Sequence, residues 1–301
     1  MPERFRSFAY WRRLLLVFLA VLALGLGGVS LGLGWASTFM LTQLPCGDSA
    51  PPSDYGLPYE TVQFMGDGLQ HTAYFIGGDL PATVITAPPL GSDPGGHMSE
   101  IRLFHEAGLS VLAMGARTCN GGKGTFGYRE GNDVVAAYAY LITRPDVDGG
   151  RVSVHGFSAA GAAALFAAAR EPRLRAVSAM GNYHNFTLTI GEPLPSDNWA
   201  IRGYKIGAVW GYEFGAGVSL DLLKPIEILD DIAPRPILFI YGSEEISLPG
   251  GEAMFARAAD HAELWIVPGV GHGGYVEADP TEAALRLAGF HLRALTAPNA
   301  P

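Results

Sequence analysis

Residues Arg151 to Gly161, RVSVHGFSAAG, confine this chain to few folds. Val152, Ser153, Val154 and His155 have strand character, and the alanine-rich run that continues to Arg170 favours helix. Only Gly156-Phe157-Ser158-Ala159-Ala160-Gly161 separates the two, so the backbone must turn sharply at Ser158. A serine at the apex of such a turn is held in a strained geometry that admits only small residues two positions before and two after it. Gly156 and Ala160 occupy those places. The turn projects the Ser158 hydroxyl beyond the sheet, while the following helix aims its free N–H groups and positive dipole end at the same spot. That suits a nucleophile whose reaction builds an oxyanion.

The surrounding chain supplies a sheet for this turn. Tyr59–Met65 and Leu69–Ile76 flank Gly66-Asp67-Gly68, a hairpin signal, and Ala82–Ala87 reads as the first buried parallel strand. Helix is expected around His97–Ala107, strand over Ser110–Met114, and helix from Gly131 to Thr143 after a glycine-rich loop. Beyond the Ser158 helix come strands over Leu174–Met180, Pro236–Tyr241 and Glu263–Val267, with helices over Gly251–Ala259 and Thr281–Leu295. The alternation predicts an α/β fold: a mostly parallel sheet with helices on both faces and ligands beyond the carboxyl ends of its strands.

A serine needs a base to take its proton and a carboxylate to orient that base. Glu245 follows a buried strand in Tyr241-Gly242-Ser243-Glu244-Glu245-Ile246-Ser247-Leu248-Pro249, which places it on the rim that carries Ser158. Glu244, its neighbour, is the competing carboxylate. His272 lies in Pro268-Gly269-Val270-Gly271-His272-Gly273-Gly274, a loop after the next strand. In chain order the three are serine, acid, histidine.

With Gly156-Phe157-Ser158-Ala159-Ala160, the acid loop and Gly269-Val270-Gly271-His272 in that order, residues 59–297 resemble the α/β-hydrolase superfamily, closest to its dienelactone-hydrolase-like and prolyl-oligopeptidase-like members. Alanine replaces the usual last glycine of the serine motif, and glutamate stands where aspartate is commoner. The resemblance implies Ser158 as nucleophile, His272 as base and Glu245 as orienting acid. It also implies an oxyanion hole from the N–H of Ala159 and one from the loop after the first parallel strand. There Pro88 and Pro89 have no N–H to give, so Leu90 is the expected second donor, with Gly91 behind it. The implied activity is cleavage of a carboxylic ester or thioester through an acyl-enzyme. A peptidase, an acyltransferase or a non-catalytic extracytoplasmic binding module on the same fold are the alternatives.

Between 182 and 232 the alternation lapses, and Tyr183, Phe186, Trp199, Tyr204, Trp210, Tyr212 and Phe214 crowd among glycines and prolines. This is expected to be a small lid-like insertion facing an acyl substrate, or else a helical excursion packed on the sheet. The other histidines fit packing or surface roles: His155 at a strand end, and His71, His97, His105, His261 and His291 on surfaces or helices, with His184 alone within reach of the site from the insertion. No Cys/His cluster has metal-ligand spacing and Gly121-Gly122-Lys123-Gly124 lacks a phosphate-binding pattern, so neither metal nor cofactor is expected.

From Leu14 to Gly34 no residue is charged, and such a helix covers roughly the 30 Å of a bilayer core. The run is longer than a signal-peptide core and no clear Ala-x-Ala site comes after it, which favours an uncleaved anchor over 14–35. Arg4, Arg6, Arg12 and Arg13 precede it, and the first Lys or Arg beyond it is Arg102. A single-pass helix so flanked places residues 1–13 in the cytoplasm and the body outside. Residues 36–58, rich in proline without a period, read as a stalk or wrapping linker. Cys46 there and Cys119 are the only cysteines, and both a bridge and two free thiols remain open. With −9 on the whole chain and +3 on its first 13 residues, the body carries −12, which argues against nucleic-acid binding. Oligomeric state is not legible.

Overall fold

The computed structural model describes residues 3–191 and 194–297. The chain forms two compact units: Thr42–Phe186 with the chain from Asp221 onward, and the N-terminal stretch to Leu41 with Thr187–Leu220.

The first unit is built on eight strands: β1 (Glu60–Gly66), β2 (Leu69–Ile76), β3 (Thr83–Thr86), β4 (Ser110–Met114), β5 (Val152–Phe157), β6 (Val177–Met180), β7 (Ile237–Gly242) and β8 (Ala262–Val267). Along the chain the helices are α1 (Glu3–Thr42), α2 (Met98–Glu106), α3 (Glu130–Leu141), α4 (Ala159–Arg170), α5 (Phe186–Ile190), α6 (Trp199–Ala216), α7 (Leu248–Arg257), α8 (Tyr275–Ala278), α9 (Pro280–Ala283) and α10 (Gly289–Thr296).

In space the strands run β1-β2-β4-β3-β5-β6-β7-β8. The hairpin β1–β2 and the β2–β4 pair are antiparallel, and every pairing from β4 to β8 is parallel. Strands β3, β4, β6 and β7 are buried along their whole length. That follows from helices covering both faces, which removes the in-out alternation of a one-sided sheet. One core gathers α3, α4 and α7 with Val134, Leu165, Phe239 and Met254. The opposite face gathers α2 and α10 with Phe104, Ile240, Phe290 and Leu295. In α4 every residue from Ala159 to Ala168 is buried, because alanine lets its backbone lie close against the sheet.

Three expected stretches take fuller shape. Over 36–58, expected as a stalk or wrapping linker, α1 runs on to Thr42, and the chain beyond that residue is tied to the sheet unit. Cys46 and Cys119 form a disulfide, the Gly47 N–H donates to Gly91 O at 2.8 Å, and the Ser49 N–H donates to Asp93 Oδ2 at 3.0 Å. The N-terminal helix, expected over 14–35, runs from Glu3 to Thr42; its 40 residues span ~60 Å at 1.5 Å each. And Thr187–Leu220, most of the insertion expected over 182–232, groups with the N-terminal helix as a unit of its own.

Two histidines expected on surfaces or helices are buried: His71 on β2, not on a surface or helix, and His291 on α10. His71 Nε2 lies 3.1 Å from Asp133 Oδ1, and Arg117 Nη1 reaches both Asp133 oxygens at 2.6 and 2.7 Å. His291 lies 2.7 Å from Ser153 Oγ by Nδ1 and 2.7 Å from Ser178 Oγ by Nε2, and His155 Nδ1 shares that Ser178 hydroxyl at 2.7 Å. Each serine gives an imidazole nitrogen a partner that the apolar surroundings cannot. Burial pushes the His291 imidazole down to about 3. It therefore stays neutral in the fold while the unfolded chain takes up a proton near pH ~6.5, so stability is lost as pH falls from there toward 3. In His291→Gln the slope of unfolding free energy against pH between 6.5 and 4 should be shallower by up to ~1.4 kcal/mol per pH unit, whatever the variant's stability at pH 8. Denaturant titrations across that range would measure it, and an unchanged slope would exclude His291 as a source of acid lability.

Candidate active site

β5 ends at Phe157, and the chain reverses into α4 through Ser158, whose φ of 57° and ψ of −123° lie outside the regions open to ordinary residues. The geometry is imposed by close packing. A Cβ on Gly156 would lie 2.0 Å from Ala160 O, and one on Gly161 would lie 3.0 Å from Asn182 Cβ. The Ser158 N–H donates to Met180 O on the neighbouring strand at 2.7 Å, which fixes the apex against β6. α4 begins at Ala159, so the Ala159 N–H is among the four without an intrahelical acceptor.

The second arm comes from β7. Gly242 closes that strand, and a Cβ there would lie 2.1 Å from Val270 O, so the loops after β7 and β8 are pressed together at a position only glycine allows. The Glu244 N–H donates to Val270 O at 2.9 Å and the Ser243 N–H to Val267 O at 2.9 Å. This turns the Glu245 side chain into the protein and leaves Glu244 in solvent. Glu245, 5% exposed, accepts from the Gly242 N–H at 3.1 Å, from Ser247 Oγ at 2.6 Å and from Tyr275 Oη.

The third arm is the loop after β8, where Gly269, Gly273 and Gly274 all take positive φ. His272 stands between them with Nδ1 2.7 Å from Glu245 Oε1 and Nε2 3.0 Å from Ser158 Oγ. Phe157 packs on its ring with centroids 4.9 Å apart. With Nδ1–H donating to the carboxylate, Nε2 is left to accept the Ser158 hydroxyl proton, the tautomer that a proton relay requires. Burial pushes the Glu245 carboxyl up, but donation from His272, Ser247, Tyr275 and the Gly242 N–H outweighs it, and the group lies below the ordinary glutamate range. Burial, together with hydrogen bonding to that carboxylate, pushes the Tyr275 phenol well above its usual value, so it remains a donor.

Ser158, Glu245 and His272, expected on one rim, are thus brought into a single hydrogen-bonded line. Leu90 sits in the loop after β3, the strand beside β5 in the sheet. That loop is pinned through Gly91 O to the Gly47 N–H. Tyr275 and Ser247 were not foreseen. Each lies within three residues of a foreseen member, but nothing in a hydroxyl's sequence position says that it turns toward a carboxylate.

No family model matches the sequence, and no curated protein matches it. Solved structures do. The Pyrococcus furiosus esterase Pf2001 superposes with a TM-score of 0.65 at 17% identity, over 84% of this chain and 99% of that one. The 2,6-dihydroxy-pseudo-oxynicotine hydrolase gives 0.62 at 19% identity, over 80% and 69%. A Mycobacterium tuberculosis puromycin-hydrolyzing peptidase gives 0.60 at 17% identity, over 82% of this chain and 41% of that one. The chain has the α/β-hydrolase fold.

The strain at Ser158 has a measurable consequence. A non-glycine residue in this region costs on the order of 1–3 kcal/mol, partly offset in glycine by its greater freedom when unfolded. Ser158→Gly should therefore be more stable than Ser158→Ala by ~1 kcal/mol, since both lack the hydroxyl and only glycine relieves the backbone. Equal denaturation midpoints would mean that the turn is unstrained.

Proposed function

We propose that this chain is a single-pass, membrane-anchored serine hydrolase that cleaves a carboxylic ester or thioester through an acyl-enzyme on Ser158. The observation that carries the proposal is the Ser158–His272–Glu245 line at a strained turn between strand and helix. His272 Nε2 takes the Ser158 proton as Oγ attacks the acyl carbon, and the imidazolium that forms is held by the Glu245 carboxylate. The N–H groups of Ala159 and Leu90 receive the oxyanion. As the tetrahedral intermediate collapses, His272 returns its proton to the leaving alcohol or thiol, which departs. Water then attacks the acyl-enzyme, giving its proton to His272 and finally to Ser158 Oγ, and the acid is released.

Ester or thioester is preferred to amide because the esterase neighbour is matched over 99% of its length, whereas the peptidase neighbour is matched over 41% of its own. The helix from Tyr10 to Thr42 is long and apolar enough to cross a membrane, and the arginines before Leu14 favour a cytoplasmic N-terminus. The Cys46–Cys119 disulfide supports an oxidising, extracytoplasmic location for the sheet unit.

Ser158→Ala should abolish covalent labelling by a fluorophosphonate probe and nearly all turnover of a small ester; full labelling of the variant would sink the assignment. Glu245→Gln should lower kcat on the order of 10⁴-fold, the loss an equivalent acid-to-amide change gives in a serine triad, whereas Glu244→Gln should have little effect. The opposite ranking would move the role to Glu244. For orientation, a membrane-impermeant fluorophosphonate should label Ser158 in intact cells as fully as in lysed ones. Labelling only after lysis would put the site in the cytoplasm.

A further inference from the structure

The unit formed by α1 and Thr187–Leu220 is packed inside out for a protein in water. Between α1 and α6 the contacts are made by backbone and small residues: a Cβ added to Gly34 would lie 1.9 Å from Tyr204 O, one on Gly207 1.9 Å from Leu31 O, and one on Gly211 2.0 Å from Trp35 O. Hydroxyls join the helices across this seam. Thr38 Oγ1 donates to Ala208 O at 2.6 Å, Ser30 Oγ donates to Ala200 O, and Ser37 Oγ lies 2.9 Å from Tyr204 Oη. Of the large apolar side chains on α6, Tyr212 is buried and Phe214 leans against Trp35 and Phe39 of α1 at the edge of the seam, while most of the others face outward. On α6, Trp199, Ile206, Trp210 and Phe214 are 57, 46, 56 and 69% exposed.

In water an amphipathic helix pair buries its large apolar residues between the helices. In lipid the tails outside are as apolar as leucine, so association depends on close backbone approach through small residues and on hydroxyl hydrogen bonds. The seam between α1 and α6 is of the second kind. Provided that α1 spans the bilayer, as proposed above, we infer that α6 is embedded beside it in the outer leaflet, its Trp199–Ile206–Trp210–Phe214 face against lipid acyl chains.

Depth follows from register. Gly207 meets Leu31 and Gly211 meets Trp35, so numbering rises together and the helices run parallel. Trp210 is therefore level with the outer end of the uncharged run Leu14–Gly34, where Trp35 also stands. From Trp210 back to Trp199 is about three turns, ~16 Å, or half of the ~30 Å hydrocarbon core. The segment thus enters the membrane and leaves on the same side. Non-helical backbone at such depth needs its polar groups satisfied within the protein. At the inner end of α6, Asn198 Oδ1 accepts the Ala200 and Ile201 N–H groups at 2.9 and 3.0 Å. Asp197 Oδ2 takes Lys205 Nζ at 2.7 Å and the Leu194 N–H at 2.8 Å, and Arg202 Nε donates to Asp197 O at 3.1 Å. Asp197 and Lys205 are thereby paired within the unit and Arg202, exposed beside them, donates to its backbone, while α1 too carries exposed apolar residues, Val29 and Leu33 at 61 and 60%.

The test uses the full chain, with Cys46 and Cys119 left in their disulfide, reconstituted in phosphatidylcholine–phosphatidylglycerol bilayers. Nitroxide labels are placed one at a time at Trp199→Cys, Ile206→Cys, Trp210→Cys and Phe214→Cys, with Leu22→Cys on α1 and Glu244→Cys on the sheet unit as references. Collision with oxygen, which partitions into lipid, is compared with collision with a water-soluble nickel chelate. The expected result is an oxygen-to-nickel ratio at 206 and 210 shifted toward that of 22, rising in the order 214, 210, 206, 199 as depth increases. A lipid-like ratio at 22 with water-like ratios at 206 and 210 overturns the embedding of α6 and leaves the anchor intact. A water-like ratio at 22 itself overturns the spanning role of α1, and the embedding of α6 falls with it. Neither result bears on Ser158 chemistry, which probe labelling reads separately.

Discussion

The backbone at Ser158 is the constraint on which the site depends. Its φ of 57° is sustained only because the strand before it and the helix after it cannot move apart. Gly156 lets Ala160 O approach to a distance that any side chain would block, and the Ser158 N–H is held by Met180 O on β6. α4 in turn is seated by ten consecutive buried small or apolar residues. The strain is thus opposed by packing spread over two strands and a helix, and the hydroxyl is presented without flexible support.

The acid is arranged on a different principle. Glu245 reaches His272 from a loop, and a glutamate has one more rotatable bond than aspartate to be fixed. Four donors fix it. The Gly242 N–H and Tyr275 Oη hold Oε2, while Ser247 Oγ and His272 Nδ1 share Oε1. Burial alone would favour the protonated acid, which could not stabilise an imidazolium; the donors reverse that preference. Gly181 belongs to the same arrangement, since a Cβ there would lie 2.6 Å from Tyr275 Oη and 3.2 Å from Glu245 Oε1. The carboxylate is therefore poised by His272 together with its surroundings, Ser247, Tyr275 and the Gly242 N–H.

The alternation of strand and helix and the positions of Ser158 and His272 were legible because each is written locally. Turn chemistry at Gly156-Phe157-Ser158, buried β-branched runs and glycines beside His272 signal themselves within a few residues. The features that stayed hidden depend on distant partners. His291 read as a helix surface residue because its period gives no hint that Ser153 and Ser178 wait across the sheet. Nothing local distinguishes Glu245 from Glu244 either; in the structure the Glu244 N–H donates to the Val270 carbonyl and Glu245 is the one buried. Cys46 and Cys119 likewise gave two open possibilities until the chain after Thr42 was found bound to the loop around Gly91.

The aromatic stretch before residue 220 has a structure that aromatic spacing alone does not give. Large apolar residues at helical spacing are ordinarily taken as the side that packs, and on α6 that suggests Trp210 and Phe214 turned toward protein. The side closest to α1 carries the row Gly203, Gly207, Gly211 and Gly215, four residues apart, of which Gly207 and Gly211 meet the α1 backbone directly, with Phe214 against Trp35 and Phe39 at its edge. Glycine within a helix is unfavourable by roughly 1 kcal/mol relative to alanine. Repeating it at every turn makes sense only where the return is backbone contact unobtainable with any side chain present. The sheet unit follows the usual rule and buries its large residues between layers, as Phe104, Phe239 and Phe290 show. One chain thus holds two units with opposite packing logic. The criterion that separates them in the sequence is which residues recur every fourth position on the face that meets a neighbour, because hydrophobicity alone assigns both to the same class.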